Sequence, residues 1–295
     1  MKQKPAFFHY RREYQGRFGF SEDIIDVKTV DWNRVWQVQR ARKGSAKRNV
    51  RFWDNRASSF AKAATETEYA NSFLSIMNPR SYWTVLDMGC GSGTLAIPLS
   101  KRVSSVTAVD FSSKMLSSVL TRCEAEGIGN VKIIHGSWED DWERIGIGTH
   151  DVAIASRSMV ADDLRSSIQK LNAVARKQVY IVTVAGDGPF DRRLFDAIRR
   201  PLKLGPDYIC NYNMLYQMGI FANVVFIKET RRRTYNNPEE ASASVKWMFD
   251  ELNAQEEEKL TAYFRDHLVF TPTSGKLSYD QTVCWAVIWW NKDQF

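Results

Sequence analysis

Asp87 and Asp110 are the residues of this chain whose type and surroundings speak most directly of chemistry. Asp87 closes the apolar run Thr84-Val85-Leu86 and stands two residues ahead of the turn Gly89-Cys90-Gly91-Ser92-Gly93-Thr94. Glycines at alternate positions let the backbone turn tightly and let a ligand approach where a Cβ would clash, and the helix that follows presents free N–H groups. Asp110 ends the next apolar run, Val106 to Val109. A carboxylate about 20 residues beyond such a loop suits a ribose diol, because it accepts from both hydroxyls. A dinucleotide fingerprint would place a third-turn glycine where Thr94 stands, so the glycines alone leave the cofactor open.

A second group of candidates follows the fourth predicted strand. Ser156-Arg157-Ser158-Met159 lies where an acceptor would meet a cofactor, with Asp162 and Asp163 close behind. Arg157 is a candidate anchor for an acidic substrate and either Asp a candidate proton acceptor, although acidic residues stabilising a helix N-terminus explain the pair more simply. His135, at the end of the third strand, reads as a supporting group rather than a base. Cys90 matters through its backbone. The four cysteines are scattered without a CxxC pair, which argues against a zinc site or a disulfide frame.

The loop and the two acids together resemble the class I S-adenosylmethionine-dependent methyltransferases. The resemblance runs over about residues 81 to 229 and returns at 283 to 290. It implies S-adenosylmethionine as cofactor, with Asp87 and the glycines at its methionine end, Asp110 on its ribose, and Ser137 and Trp138 beside its adenine. The full contact set it implies is Asp87, Gly89, Cys90, Gly91, Gly93, Asp110, Phe111, Gly136, Ser137, Trp138 and Ser156, without a metal. Many members carry Asp where this chain has Ser137, which leaves the adenine amino group to Glu139 or a backbone carbonyl. Members that methylate exocyclic base nitrogens place Asn or Asp, two prolines and an aromatic after strand 4. This chain does not, which argues against that mechanism.

The elements that must position these residues follow from hydrophobic period. Strands are predicted at about 83–88, 105–109, 131–135, 151–155 and 179–184, with helices from Thr94 to Lys101, Ser112 to Glu126 and Asp162 to Ala175 between them. Alternating strands and helices imply an α/β fold with a doubly wound, mostly parallel sheet and helices on both faces. A ligand then lies at the carboxyl ends of the strands, at the switch point beside strand 1. Beyond a helix over 207–219, strand 6 (224–228) and the last strand (283–290) form the family's terminal antiparallel pair, completing seven strands. The fifty or so residues between them are too many for a hairpin and read as a helical insertion, opened by Asn237-Pro238 and broken near Asn253. The expected organisation is a basic, aromatic helical extension or lid over 1–80, the cofactor-binding core over 81–229 plus 279–295, and the insertion over 230–278.

Charge divides the chain unevenly. Of a net +7 over 295 residues, residues 1–56 carry 14 Lys and Arg against 6 Asp and Glu. That segment, with Trp32, Trp36 and Trp53, reads either as an RNA-binding arm or as a helical cap whose aromatics pack inward. Helices are expected from Trp32 and from Phe52, the latter running towards Tyr69, with a basic loop at Arg40 to Asn49 between them. Phe52, Trp53 and Phe60 would wall the cleft or simply pack. The longest apolar run, Val283 to Trp290, is too short to span a bilayer, and the first residues show no apolar signal core, so a cytoplasmic protein is expected. The sequence points to methyl transfer onto a small molecule. Its alternatives are an RNA or protein methyltransferase using the basic segment, a non-catalytic cofactor-binding module, and a nicotinamide enzyme on the same fold.

Overall fold

The structure is a computed structural model that describes residues 26–43, 50–57, 68–271 and 274–292. In chain order the elements are α1 (Trp32–Arg42), α2 (Val50–Asp54), α3 (Glu68–Met77), β1 (Thr84–Met88), α4 (Ala96–Ser100), β2 (Ser105–Asp110), α5 (Ser113–Ala125), β3 (Val131–His135), β4 (His150–Ser156), α6 (Leu164–Val174) and β5 (Ala175–Ala185). There follow α7 (Arg192–Ala197), α8 (Tyr208–Gln217), β6 (Asn223–Arg231), β7 (Thr234–Tyr235), α9 (Pro238–Val245), α10 (Ala254–His267), β8 (Leu268–Phe270), β9 (Gly275–Leu277) and β10 (Gln281–Asn291).

Seven strands form one sheet in the order β3-β2-β1-β4-β5-β10-β6. The first five are parallel, and β10 runs antiparallel to both β5 and β6. Such a sheet is covered on both faces, so its strands alternate between two cores. On β5, Tyr180 and Val182 enter one core with α3, α4 and α5, whereas Val179 and Ile181 enter the other with α1, α6 and α8. The chain order reverses between β1 and β4. The ends of these two strands therefore bracket a crevice, and Asp87 and Ser156 sit at its lip.

Pro98 occupies the first turn of the short α4, where its missing N–H costs no helix bond. α5, α6 and α10 begin at side-chain caps from Ser112, Asp163 and Asn253, the last a full capping box with Glu256.

Three expectations are corrected. α1 runs on to Arg42, two residues into the expected basic loop, and its basic last turn lies where the helix dipole favours cations. The segment from 230 to 278 is not purely helical. It also holds a three-stranded antiparallel sheet, β7-β9-β8, whose strands of two or three residues are too short to display a period. Its core also takes in Phe190, Leu194, Phe195 and Ile198 from around α7, upstream of β6, so this unit draws on two separate parts of the chain. At the other end, α3 buries Tyr69, Phe73, Leu74 and Met77 in the main core and is a layer of the fold rather than part of a lid. Phe60, the 44–49 part of the expected loop and the middle of the expected helix from Phe52 to Tyr69 lie outside the described residues, as does most of the basic segment.

Candidate active site

The site is built on the turn from β1 into α4. Gly89 adopts φ +73° and Gly91 φ +55°, left-handed values that side chains disfavour. The two glycines differ in surroundings. A Cβ at Gly89 would overlap the Ser158 side chain, whose hydroxyl donates to the Met88 carbonyl, whereas a Cβ at Gly91 would meet nothing within 4 Å and would enter the crevice itself. The Gly89 and Cys90 N–H groups both donate to the Val109 carbonyl, at 2.7 and 2.9 Å, which ties the loop to the end of β2.

Asp110 completes that tie. Its carboxylate accepts from the Gly91 N–H at 2.9 Å through one oxygen and from the Ser112 N–H at 2.9 Å through the other. Each oxygen keeps a lone pair, so the pair of acceptors remains available to a diol. Burial raises the Asp110 carboxyl above its ordinary range, and the backbone donors offset part of the rise. Asp87 is more fully buried, and its Oδ2 has no hydrogen-bond partner. Burial first, then the nearby Asp110 charge, push its carboxyl up to about 7; the Arg157 guanidinium and the Ala96 N–H at the head of α4 act the other way. An orphaned buried carboxylate oxygen calls for a cationic donor. Two buried acids at one loop, one of them leaning on the α4 N-terminus, would repel a pyrophosphate. They fit a ligand bearing an ammonium and a sulfonium.

The remaining predicted residues are distributed as follows. Gly136 donates to the Asp110 carbonyl at 3.1 Å, and His135 Nε2 lies 3.0 Å from the Phe111 carbonyl, so the end of β3 borders the same crevice. Ser137 is bound through its N–H and hydroxyl to Asp140 Oδ2, at 2.7 and 3.0 Å. These bonds hold the Asp140 carboxyl below the usual carboxylate range. The expected adenine wall Trp138 is instead turned into the second core: its ring is buried and its indole N–H donates to the Ser158 carbonyl at 2.8 Å. It braces the turn after β4. The Cys90 thiol is buried and pushed well above its ordinary value, chiefly by desolvation, and is inert.

Of the three candidate catalytic residues, the structure keeps one at the crevice. Asp163 caps α6 through the Ser166 N–H at 2.8 Å, and Asp162, 92% exposed, lies 3.5 Å from Arg40 on α1. Neither faces Asp87. Arg157 does: it holds φ +59°, strained for a residue with a side chain, and its guanidinium lies over the rings of Tyr69, at 4.1 Å, and Trp285, at 5.2 Å. The Tyr69 hydroxyl pairs with Ser156 Oγ at 2.6 Å, and the Trp285 indole N–H donates to Glu229 at 2.6 Å. Nothing local in the sequence brings Tyr69, Trp285 and Glu229 beside Ser156 and Arg157. Tyr69 reads as one more apolar position of an amphipathic helix, and Trp285 as part of a buried strand.

The surrounding segments close over these groups. Asp54 of α2 accepts from the Ser112 hydroxyl at 2.6 Å, beside the Asp110 carboxylate. Beyond it, Arg56 lies over the Trp247 ring at 4.9 Å and Lys43 over the Phe190 ring at 4.6 Å. The N-terminal helices thus meet the small helical unit across the carboxyl ends of the sheet.

Comparison with known proteins bears on the family of the chain. A family model described as a methyltransferase domain matches residues 85–178, from β1 through the glycine loop into β5. An uncharacterised protein of Haemophilus influenzae is 35% identical over 246 residues, covering 82% of this chain and 89% of its own length. A tRNA/tmRNA (uracil-C(5))-methyltransferase of Campylobacter curvus is 38% identical over 56 residues, 19% of this chain and 15% of that enzyme. Among solved structures, the YcgJ protein of Bacillus subtilis aligns with a TM-score of 0.49 at 16% identity, over 74% of this chain and 97% of its own. The chain belongs to the class I S-adenosylmethionine-dependent methyltransferases. It is an enzyme whose cofactor is S-adenosylmethionine. Among the described residues no helix is long and apolar enough to cross a membrane.

Proposed function

We propose that the enzyme methylates a small-molecule acceptor, with the cofactor held by Asp87, Gly89, Cys90, Gly91, Gly93 and Asp110 and the acceptor admitted between Ser156, Arg157, Tyr69 and Trp285. The cofactor supplies an electrophilic methyl group on a sulfonium, transferred in line to the acceptor atom. The chain's own contribution is then mainly positioning. In this reading the ionised Asp87 carboxylate receives the ammonium of the cofactor, Asp110 accepts from the ribose hydroxyls, and Gly91 leaves the space that both need. Tyr69 and Trp285 offer flat apolar walls. Burial raises the Tyr69 hydroxyl above its ordinary value, so it serves as a neutral hydrogen-bonding partner of Ser156 rather than as a base.

The observation that carries the small-molecule reading is the contact of the N-terminal helices with the helical unit over the strand ends, through Arg56 on Trp247 and Lys43 on Phe190. That enclosure favours a compact acceptor over a duplex or a folded chain. The short match to an RNA methyltransferase and the basic N-terminal segment favour the second reading, an RNA acceptor. Incubating the enzyme with methyl-labelled S-adenosylmethionine and a cell extract, followed by ultrafiltration, separates them. Label in the filtrate, in a compound that chromatography separates from S-adenosylmethionine and that does not form without the enzyme, is the expected result. Label confined to retained RNA or protein refutes it.

A further inference from the structure

One group of charges at the crevice is out of balance. On β6, Ile227, Glu229 and Arg231 share a face, and Ile227 belongs to the main core with Val283 and Trp285 of β10, which pair with Glu229 and Ile227. At Glu229 that face stops being apolar. Arg231 follows at the strand's end, its side chain only 24% exposed, and Arg233 follows two residues later. Arg231 lies 3.8 Å from Glu229, too far for a close ion pair, and Glu229 is already engaged by the Trp285 indole. Burial, then the positive charges of Arg233 and Arg157, make the Arg231 guanidinium easier to deprotonate than an ordinary arginine. Glu229 is the one carboxylate among the described residues that acts against them. Neither Arg157 nor Arg233 makes an ion pair among the described residues. Arg231 is thus half-buried with Arg233 and Arg157 acting against it and Glu229 alone in its favour, while Arg157, itself exposed, lies over the Tyr69 and Trp285 rings and is also felt by Asp87.

A half-buried arginine held among like charges is unfavourable unless an anion completes it. Arginine is also the side chain whose planar fork grips a carboxylate or phosphate through two parallel hydrogen bonds. We infer that the acceptor carries an oxyanion, held by Arg231 together with Arg157, while its planar part rests against Tyr69 and Trp285. This rests on the small-molecule reading above and narrows its substrate class to aromatic or otherwise flat acids. Glu229 is a positioning residue in this arrangement: it holds the Trp285 indole and leaves Arg231 without a close ion pair. Arg157 belongs to both halves of the site, since its charge is felt by Asp87 as well as by Arg231.

The test uses simple probes. Benzoate, phenyl phosphate and neutral benzamide are titrated by calorimetry into the full-length protein, with and without saturating S-adenosylhomocysteine, for wild type, Arg231→Gln and Arg231→Lys. Both anions should bind wild type, with the better of the two naming the oxyanion, and benzamide should not. Arg231→Gln should weaken the anions about tenfold or more, and Arg231→Lys should recover part of that because it restores charge without the fork. S-adenosylhomocysteine affinity should be unchanged in both variants, which also shows that they fold. Binding of benzamide equal to benzoate, anion binding unaffected by Arg231→Gln, or no anion binding to wild type would each overturn the proposal. So would binding of an RNA oligonucleotide at this site while both small anions fail. Should S-adenosylhomocysteine itself not bind wild type, the cofactor assignment fails, and the titrations without it still decide the arginine site.

Discussion

The Asp87 carboxylate makes cofactor binding depend on pH in a direction that the structure dictates. Without ligand its carboxyl sits at about 7, raised by burial and by the Asp110 charge. An ammonium beside the orphaned oxygen favours the ionised form, so binding expels a proton wherever Asp87 is still protonated. Affinity must then rise with pH up to about 7 and level off above it. From about pH 5.5 to about pH 7.5 the ionised fraction of such a group grows from about 3% to about 75%, a gain in affinity of about 25-fold or about 1.9 kcal/mol. The assay is calorimetric titration with S-adenosylhomocysteine across that window in buffers of different ionisation heat, which also counts the proton released. Asp87→Asn should bind weakly and lose the pH dependence, and so separates this group from others that titrate nearby. The same shift makes the ligand-free protein less stable as pH rises from about 4 through about 7, because the folded state holds the extra proton. Asp87→Asn should therefore raise the melting temperature of the ligand-free protein near neutral pH and have little effect near pH 4. A wild-type affinity that is flat or falls across the window, or a variant with an unchanged profile, would refute the reasoning.

Other outcomes follow from the same site. Asp110→Ala leaves the Gly91 and Ser112 N–H groups without their acceptor, so it should abolish cofactor binding and also destabilise the fold by about 1–3 kcal/mol per orphaned donor, measured by chemical denaturation. Gly89→Ala should be strongly destabilising, since it combines a left-handed backbone with overlap on Ser158, at about 2–4 kcal/mol. Gly91→Ala, which meets no atom, should cost stability only about 1 kcal/mol while weakening S-adenosylhomocysteine binding; equal stability losses in the two variants would contradict the geometry. Tyr69→Phe should lower stability by about 1 kcal/mol and leave cofactor affinity intact, because only the bond to Ser156 is lost; a large drop in affinity would give Tyr69 a direct role at the cofactor.

The part of this protein that its sequence determined is the part built from neighbours in the chain. A strand that ends in Asp87, a turn that demands glycine at left-handed positions, and a second strand that ends in Asp110 are dictated by local sterics and a two-residue period. So are the caps at Ser112 and Asn237. The doubly wound, mostly parallel character of the sheet followed from the alternation of elements, and with it a crevice at the carboxyl ends of the strands. Tertiary structure decided the rest. Tyr69 meets Ser156 across 87 residues of sequence, and Trp285 meets Glu229 across 56. Both meetings depend on β10 inserting between β5 and β6 and on α3 packing under that edge, which no local pattern encodes. The same packing turned Trp138 into the core. It also left Arg231 half-buried beside two other arginines. Periodicity records which residues are buried; only the assembled sheet decides which charges must share the same place.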